Sequence, residues 1–439
     1  MGGYLIEDAI APVSNIAIRA PRISYLEEPI LQSRSYLRLG ITLLVGLMLG
    51  WTVVATTMDR VFARKVPSLA LWWNPDSADA NAYYAESLLR TADLRHVMTR
   101  VASHANRSIR RQPVNAAAAR LLGLAADAGR DNHRAERLMA YAEAMSRRDL
   151  PTQLWLIEAN IAHDDVPTVL RHYDRAMRTS VSGRTVLFPI LIAAAANDRK
   201  VWEPLISVLA QRPQWWRPFL AQLIPVSVSP EALYMTARRM GLDTGPGADT
   251  ALTQATERRL VDLRAPDMAA DLYNRAHRLP PATGAPLRNG NFDLPGGWDP
   301  FEWNLVDEPD LAAVRQPSPI AGDGNALFLS AGNSRSGDVA VQVIMLPQGS
   351  YAARATIGGV SGDPIARPKL IVRCAGDSRE LLNAPFALAP ETGSAWHGTF
   401  TIPAGCEAQR VVIQATSSLD PSDTAPWIDN IAIQSQGRH

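Results

Sequence analysis

The stretch Leu39-Gly-Ile-Thr-Leu-Leu-Val-Gly-Leu-Met-Leu-Gly-Trp-Thr-Val-Val-Ala-Thr-Thr-Met58 carries no charge over 20 residues, between Arg38 and Asp59. At 1.5 Å per residue, a helix of about 20 residues matches the roughly 30 Å hydrocarbon core of a bilayer. A buried helix of a soluble core is usually shorter and carries a polar stripe. A cleavable signal has a shorter apolar core, nearer the start, followed by a small-residue cleavage site. With 38 residues ahead of it, this segment is expected to be an uncleaved membrane span. It divides the chain into a partly ordered arm, 1–38, and a large region beyond Met58. Gly46 and Gly50 stand four apart in the span, a spacing that lets a second helix approach closely. They are candidate helix-packing residues; a plain anchor is the alternative.

The 44 basic and 43 acidic side chains nearly cancel, which leaves no electrostatic footprint for a nucleic-acid partner. The length of 439 residues admits two or three domains besides the span. The 8 histidines stand singly, without metal-ligand spacing. No phosphate loop, His-Glu-x-x-His run or nucleophile elbow occurs.

Cys374 and Cys406 are the only cysteines. Two thiols can be small buried residues, but both fall at edges of expected strands in one small β domain, which favours a disulfide. A disulfide implies an oxidising compartment and so places the region after Met58 outside the cytoplasm. Arg34 and Arg38 flank one end of the span and Arg60, Arg64 and Lys65 the other, which leans slightly against that orientation.

From Asp59 to Leu279 the pattern is helical, rich in alanine, leucine and arginine. Breaks are expected at Pro67, Pro75, Pro113, Pro151, Pro167, Pro189, Pro213 and Pro230. An internal repeat of 34 residues aligns Gly123 with Ile157, Ala135 with Val169, Met139 with Tyr173 and Ala142 with Ala176. Gly129 is placed to end one helix, Asp131 to cap the next, and Asp164 or Asp165 to take that capping place in the following unit. The 12, 4 and 3 spacings of Gly123, Ala135, Met139 and Ala142 resemble the tetratricopeptide pattern over 113–180, with degenerate hairpins on either side. The family's usual proline near the end of a unit is absent; Arg147 stands there. The expectation is an α-solenoid over 59–279.

Pro280-Pro281-Ala-Thr-Gly-Ala-Pro286 is a linker by composition. Beyond it, short alternating runs predict strands at 287–294, 301–307, 311–316, 325–331, 338–346, 350–358, 367–374, 396–402, 409–416 and 426–434, a β-sandwich or jelly roll over 287–436 with a tail at 437–439. Its opening, Arg288-Asn-Gly-Asn-Phe-Asp293, and its close, Pro426-Trp-Ile-Asp-Asn-Ile-Ala-Ile433, resemble the paired end signatures of galactose-binding-like jelly rolls, which include many carbohydrate-binding modules. That resemblance implies exposed aromatics stacking on sugar rings. The candidates are Trp298, Phe301, Trp303 and Trp396, with Trp298, in the Gly296-Gly-Trp-Asp299 turn, expected to be the most exposed. The competing reading makes them sandwich filling. The resemblance also implies a structural calcium, with Asp293 and Asp429 as candidate oxygen ligands; no other cofactor is expected.

The fold class is therefore α + β and multidomain: one transmembrane helix, an α-solenoid and a C-terminal sandwich. In that order the parts resemble bacterial accessory proteins of cell-surface polysaccharide assembly. The resemblance implies a non-catalytic scaffold in the bacterial inner membrane, single-pass, with a cytoplasmic N-terminus and periplasmic C-terminal domains. Its expected partners are the membrane, an inner-membrane polysaccharide polymerase or export protein, and the polysaccharide itself. A purely protein-binding envelope assembly factor is the second reading. A glycan-cleaving enzyme is the third, since two carboxylates about 5–9.5 Å apart leave no mark in a sequence.

Overall fold

The computed structural model describes residues 28–90, 94–245, 248–280, 285–332, 335–360, 362–417 and 425–436. The part of the expected arm before residue 28 and the tail at 437–439 lie outside them. The chain divides into two units, Met1–Met145 and Ser146–His439.

In the first unit, α1 (Glu28–Phe62) starts eleven residues earlier than the apolar run, so residues 28–38 are helical where a partly ordered arm was expected. Its Arg38–Phe62 portion is long and apolar enough to cross a membrane, and none of its apolar window is buried against protein. Gly46 and Gly50 face open space, with nothing within 4 Å of a Cβ added at either. After α2 (Pro67–Trp73) come two hairpins, α3 (Ala78–Leu88) with α4 (Leu94–Arg111) and α5 (Ala116–Ala128) with α6 (Asn132–Met145). Ala135, Met139 and Ala142 share the buried stripe of α6. A Cβ added to Gly123 would lie 3.1 Å from Met139 Cε, so glycine on α5 lets the two helices cross with Met139 filling the gap. Asp131 Oδ1 accepts the Arg134 amide at 3.1 Å, satisfying one unpaired donor at the start of α6.

The second unit continues the pattern with α7 (Leu150–Ala162) and α8 (Val166–Thr179), where Val169, Tyr173 and Ala176 are buried and Asp165 caps Thr168 at 3.2 Å. Then follow α9 (Val181–Asn197), α10 (Arg199–Leu209), α11 (Trp216–Val226), α12 (Pro230–Met240), α13 (Thr250–Asp262) and α14 (Pro266–Ala276). Pro67, Pro151, Pro167 and Pro230 sit in first turns, where the missing amide costs nothing. Pro189 breaks nothing: it lies inside α9. The loss of one backbone bond there is offset by burial of Leu187, Phe188, Leu191 and Ile192 on either side of it.

The antiparallel sandwich has eleven strands among the described residues: β1 (Asn304–Leu305), β2 (Asp307–Glu308), β3 (Leu311–Pro317), β4 (Asn325–Ala331), β5 (Ser336–Ile344), β6 (Gly349–Gly358), β7 (Lys369–Cys374), β8 (Glu380–Pro385), β9 (Ser394–Ile402), β10 (Gln409–Thr416) and β11 (Trp427–Ser435). One sheet runs β1-β5-β10-β7-β8 and the other β2-β3-β4-β11-β6-β9. Between them lies a core that includes Phe292, Trp303, Leu327, Ile357, Val372, Val411 and Ile428. Three strand expectations differ. The run expected at 301–307 gives only β1 and β2, two residues each and in different sheets. Residues 287–294 form a loop, because Asn289 and Phe292 take positive φ (51° and 53°), which no strand allows. β8 was hidden by its own Asn383 and Pro385, residues that weigh against strands but suit a sheet edge. Cys374 and Cys406 are joined by a disulfide with Cα atoms 5.4 Å apart.

The linker does not separate two bodies. Helices α8–α14 and the sandwich share one apolar cluster, to which the sandwich contributes Ala285, Phe301, Val343, Met345, Ala375 and Ala408.

Candidate binding site

The two end signatures meet in space. The Ile431 amide donates to the Gly290 carbonyl at 2.8 Å. A Cβ on Gly290 would stand 2.0 Å from the Ile431 carbonyl oxygen, so only glycine fits the approach. The Asn289 side chain closes the loop with two bonds to Leu294, 2.9 Å to its carbonyl and 3.0 Å from its amide.

Beside this junction lie the proposed calcium ligands. Asp429 is fully buried; its Oδ1 accepts the Asn430 amide at 2.6 Å, and its Oδ2 has no hydrogen-bond partner. Burial first, then the charges of Asp323 and Asp293, push the Asp429 carboxyl up to about 6. Asp293 accepts the Asn325 amide at 2.9 Å and the Asn291 side chain at 2.6 Å, while Asp323 accepts the Asn430 side chain at 3.1 Å. The fit to a hard cation is partial. The orphaned Asp429 oxygen and uncompensated negative charge suit one, yet among the described residues no three carboxylates, histidines or thiols gather as a shell.

The aromatic candidates are placed otherwise than expected. Phe301 is 1% exposed, Trp303 2% and Trp396 6%. Trp303 Nε1 donates to the Asn289 carbonyl at 3.1 Å and its ring packs on Phe292; Trp396 packs edge-on against Phe386. None of the three offers a free face to a sugar. Trp298, expected to be the most exposed, is half-buried against the helices, where its Nε1 donates to Glu257 Oε2 of α13 at 2.8 Å. Glu257 is fully buried and its other oxygen is unpartnered, so burial drives its carboxyl well above the usual carboxylate range. Glu302 completes the joint, accepting the Tyr273 hydroxyl at 3.0 Å and the Trp298 amide at 3.2 Å. Arg258–Asp299 at 2.7 Å and Arg410–Asp262 at 2.6 Å tie the margins. The aromatic turn is a docking plug for α13 and α14.

The outward surface of the sandwich is mixed: Val314, Ile365 and Leu388 are exposed, and a polar group lies across β5, β10 and β7. Alternation sends Val411, Ile413 and Ala415 of β10 to one face and Arg410, Val412 and Gln414 to the other, where Val412 is buried and Gln414 partly exposed. The register sets Gln414 beside Lys369 of β7 and Asp338 of β5. Asp338 accepts Arg373 at 2.6 Å and Gln414 at 3.3 Å. Arg373 Nε is buried without a partner. Lys369, Arg373, Asp338 and Gln414 thus form a row of donors and acceptors across three strands, of the kind that matches sugar hydroxyls. The alternation in Lys369-Leu-Ile-Val-Arg373 and Arg410-Val-Val-Ile-Gln414 carries this signal, which none of the aromatic residues marks.

A second concavity, of about 410 Å³, lies between α9, α10, α11 and α12, lined by Ile192, Trp202, Val226, Met235 and Arg239 among others.

No family model matches the chain, and no curated protein matches it. Among solved structures, the enzymatically active domain of bacteriophage CBA120 tailspike protein 4 matches at 10% identity and TM-score 0.27, over 36% of this chain and 22% of that one. A chain reported as "CBM4 structure and function" matches at 14% identity and TM-score 0.26, over 34% of this chain and 99% of that one. The CBM22-1 xylan-binding domain of Xyn10C from Paenibacillus barcinonensis matches at 11% identity and TM-score 0.26, over 34% of this chain and 94% of that one. This chain thus spans about a fifth of the tailspike domain and nearly all of the two smaller modules. At these TM-scores the likeness carries no argument about activity.

Proposed function

We propose that this chain is a non-catalytic, membrane-anchored scaffold of cell-surface polysaccharide polymerisation or export. In this reading α1 spans the inner membrane, the helical hairpins hold protein partners, and the sandwich contacts glycan. The observation that carries the glycan part is the outward row of Lys369, Arg373, Asp338 and Gln414 on a sandwich clamped to its helices. A rigid polar row presents several hydrogen-bonding groups with little ordering cost, which favours weak, repeated contacts along a polymer. The disulfide supports a periplasmic location. A structural cation beside Asp429 would lock the meeting point of the chain ends.

Full-length protein in nanodiscs, titrated calorimetrically with oligosaccharides from the source organism's surface polymers, tests the reading. Saturable binding that a Lys369→Ala/Arg373→Ala double variant abolishes is expected. No binding to any of those polymers would overturn it, and shortening of the polymer during incubation would favour a glycan-cleaving enzyme instead. The 410 Å³ cleft between α9 and α12 favours the second reading, an assembly factor that binds proteins alone.

A further inference from the structure

The short helix α2, Pro67-Ser-Leu-Ala-Leu-Trp-Trp73, carries no charge, yet it is not a core helix. Only Ala70 is buried, packed with Ala63 and Ala80, while Trp72 is 71% exposed. The ring of Trp73 rests on that of Trp51 with centroids 5.2 Å apart, and Trp72 meets Trp73 edge-on at 4.9 Å. Trp51 lies eleven residues before the end of α1, about 16 Å along a helix. The chain therefore turns after Phe62 and runs back alongside the last turns of α1. It then climbs again, since the Ser77 hydroxyl, which starts α3, bonds to Asp59. Arg60, Arg64 and Lys65 are exposed at the turn.

We infer that α2, with the aromatic cluster of Trp51, Trp72 and Trp73, is a lipid-interface anchor that dips into the outer edge of the bilayer beside α1. The inference rests on the reading that α1 spans the membrane. The exposed apolar side of α2, Leu69 and Trp72, is continuous with the bare apolar surface of α1, and a bilayer that covers one reaches the other. Tryptophans gather near the headgroups, where an apolar ring and a polar N–H are both satisfied. Trp51, seven residues before Met58, lies about 10 Å inside the span, so α2 reaches inward from the headgroup level to meet it. The three basic residues at the turn sit on the water side of the cluster, where their charges reach lipid phosphates. Docked in this way, α2 fixes the depth of α1 and holds the start of α3 at the membrane surface.

Spin labels at single introduced cysteines test this in the full chain in nanodiscs. Both native cysteines are bonded and leave no free thiol. Labels replace Leu47 in mid-span, Trp72, and Ala140, which is exposed on α6. Access to lipid-soluble oxygen is compared with access to a water-soluble nickel complex. The expected result is a label at 47 reached by oxygen alone, and a label at 72 with several-fold less nickel access than one at 140. A label at 72 as open to nickel as that at 140, with 47 still buried in lipid, overturns the anchor and leaves the span intact. A label at 72 shielded from both reagents assigns the face to a protein or a second copy and also overturns it. Nickel access at 47 overturns the span itself, and the anchor with it.

Discussion

The tryptophans at the two ends of the chain exchange the roles their surroundings suggest. In the sandwich, Trp298, Trp303 and Trp396 stand where a sugar platform was expected, and each is packed against protein. In and beside the apolar helix α1, Trp51 and Trp72 stand in a folded region and remain more than half exposed. An aromatic ring goes wherever enough partner surface exists to cover it. Helices α13 and α14 supply that surface to Trp298 and the sandwich core supplies it to Trp303 and Trp396, whereas among the described residues of the first unit the apolar window of α1 and the outer side of α2 stay uncovered. Substitutions should therefore act on folding in the second region and on membrane attachment or partners in the first.

The largest effect is expected at the docked turn. Phe301→Ala should destabilise the Ser146–His439 unit by about 3–5 kcal/mol, read as a lower denaturant midpoint. A loss under about 1 kcal/mol would mean that Phe301 is not the anchor of the joint.

Why the joint escaped the sequence is plain from Glu257 and Trp298, which lie 41 residues apart in two different kinds of structure. No local pattern pairs a helical glutamate with a glycine-rich turn. What was legible is local or periodic. Asp131 and Asp165 cap helices, and Gly123 sits under Met139. The Asn289–Asp293 and Trp427–Ile433 stretches mark chain ends that meet at Gly290. Pro189 was misread because it lies on the exposed side of α9, where water can take the freed carbonyl, while the burial of Leu187, Phe188, Leu191 and Ile192 holds the helix together. The polar group of Lys369, Arg373, Asp338 and Gln414 was written in period-two alternation, but its assembly depends on three strands lying side by side.

Reduction of the Cys374–Cys406 bond, which spans 32 residues, should lower stability by about 3–4 kcal/mol on the chain-entropy model. Titration gives a more selective probe. Asp429 has a folded-state value of about 6, above its usual 3.8, so the folded form holds its proton more tightly than the unfolded one. Its contribution to stability is then fully present below about pH 4 and is lost as pH rises through about 6. Asp429→Asn should flatten that dependence in a thermal-melt series. Calcium should raise the melting temperature of the parent protein at pH 7 and leave the variant unchanged; a calcium shift of equal size in both would place the ion elsewhere.

In the first region the effects on folding should be small. The pair Gly46→Leu and Gly50→Leu, with open space around both, should leave membrane insertion intact and reduce co-purification of membrane partners. Unchanged co-purification would reduce α1 to a plain tether. Trp72→Ser should alter the unfolding free energy by no more than about 0.5 kcal/mol, since the side chain buries little against protein. A larger loss would erase the contrast between the two regions.

The proposal that most needs testing is that the sandwich, with Trp298 and Phe301 packed on the helices and Trp303 and Trp396 in its own core, contacts glycan through its polar row. Calorimetric titration of the full chain in nanodiscs with surface-polysaccharide oligosaccharides measures it directly. The account predicts saturable binding that is lost in Lys369→Ala/Arg373→Ala and kept in Trp72→Ser. Binding that survives the double substitution, or no binding to any such glycan, would contradict it.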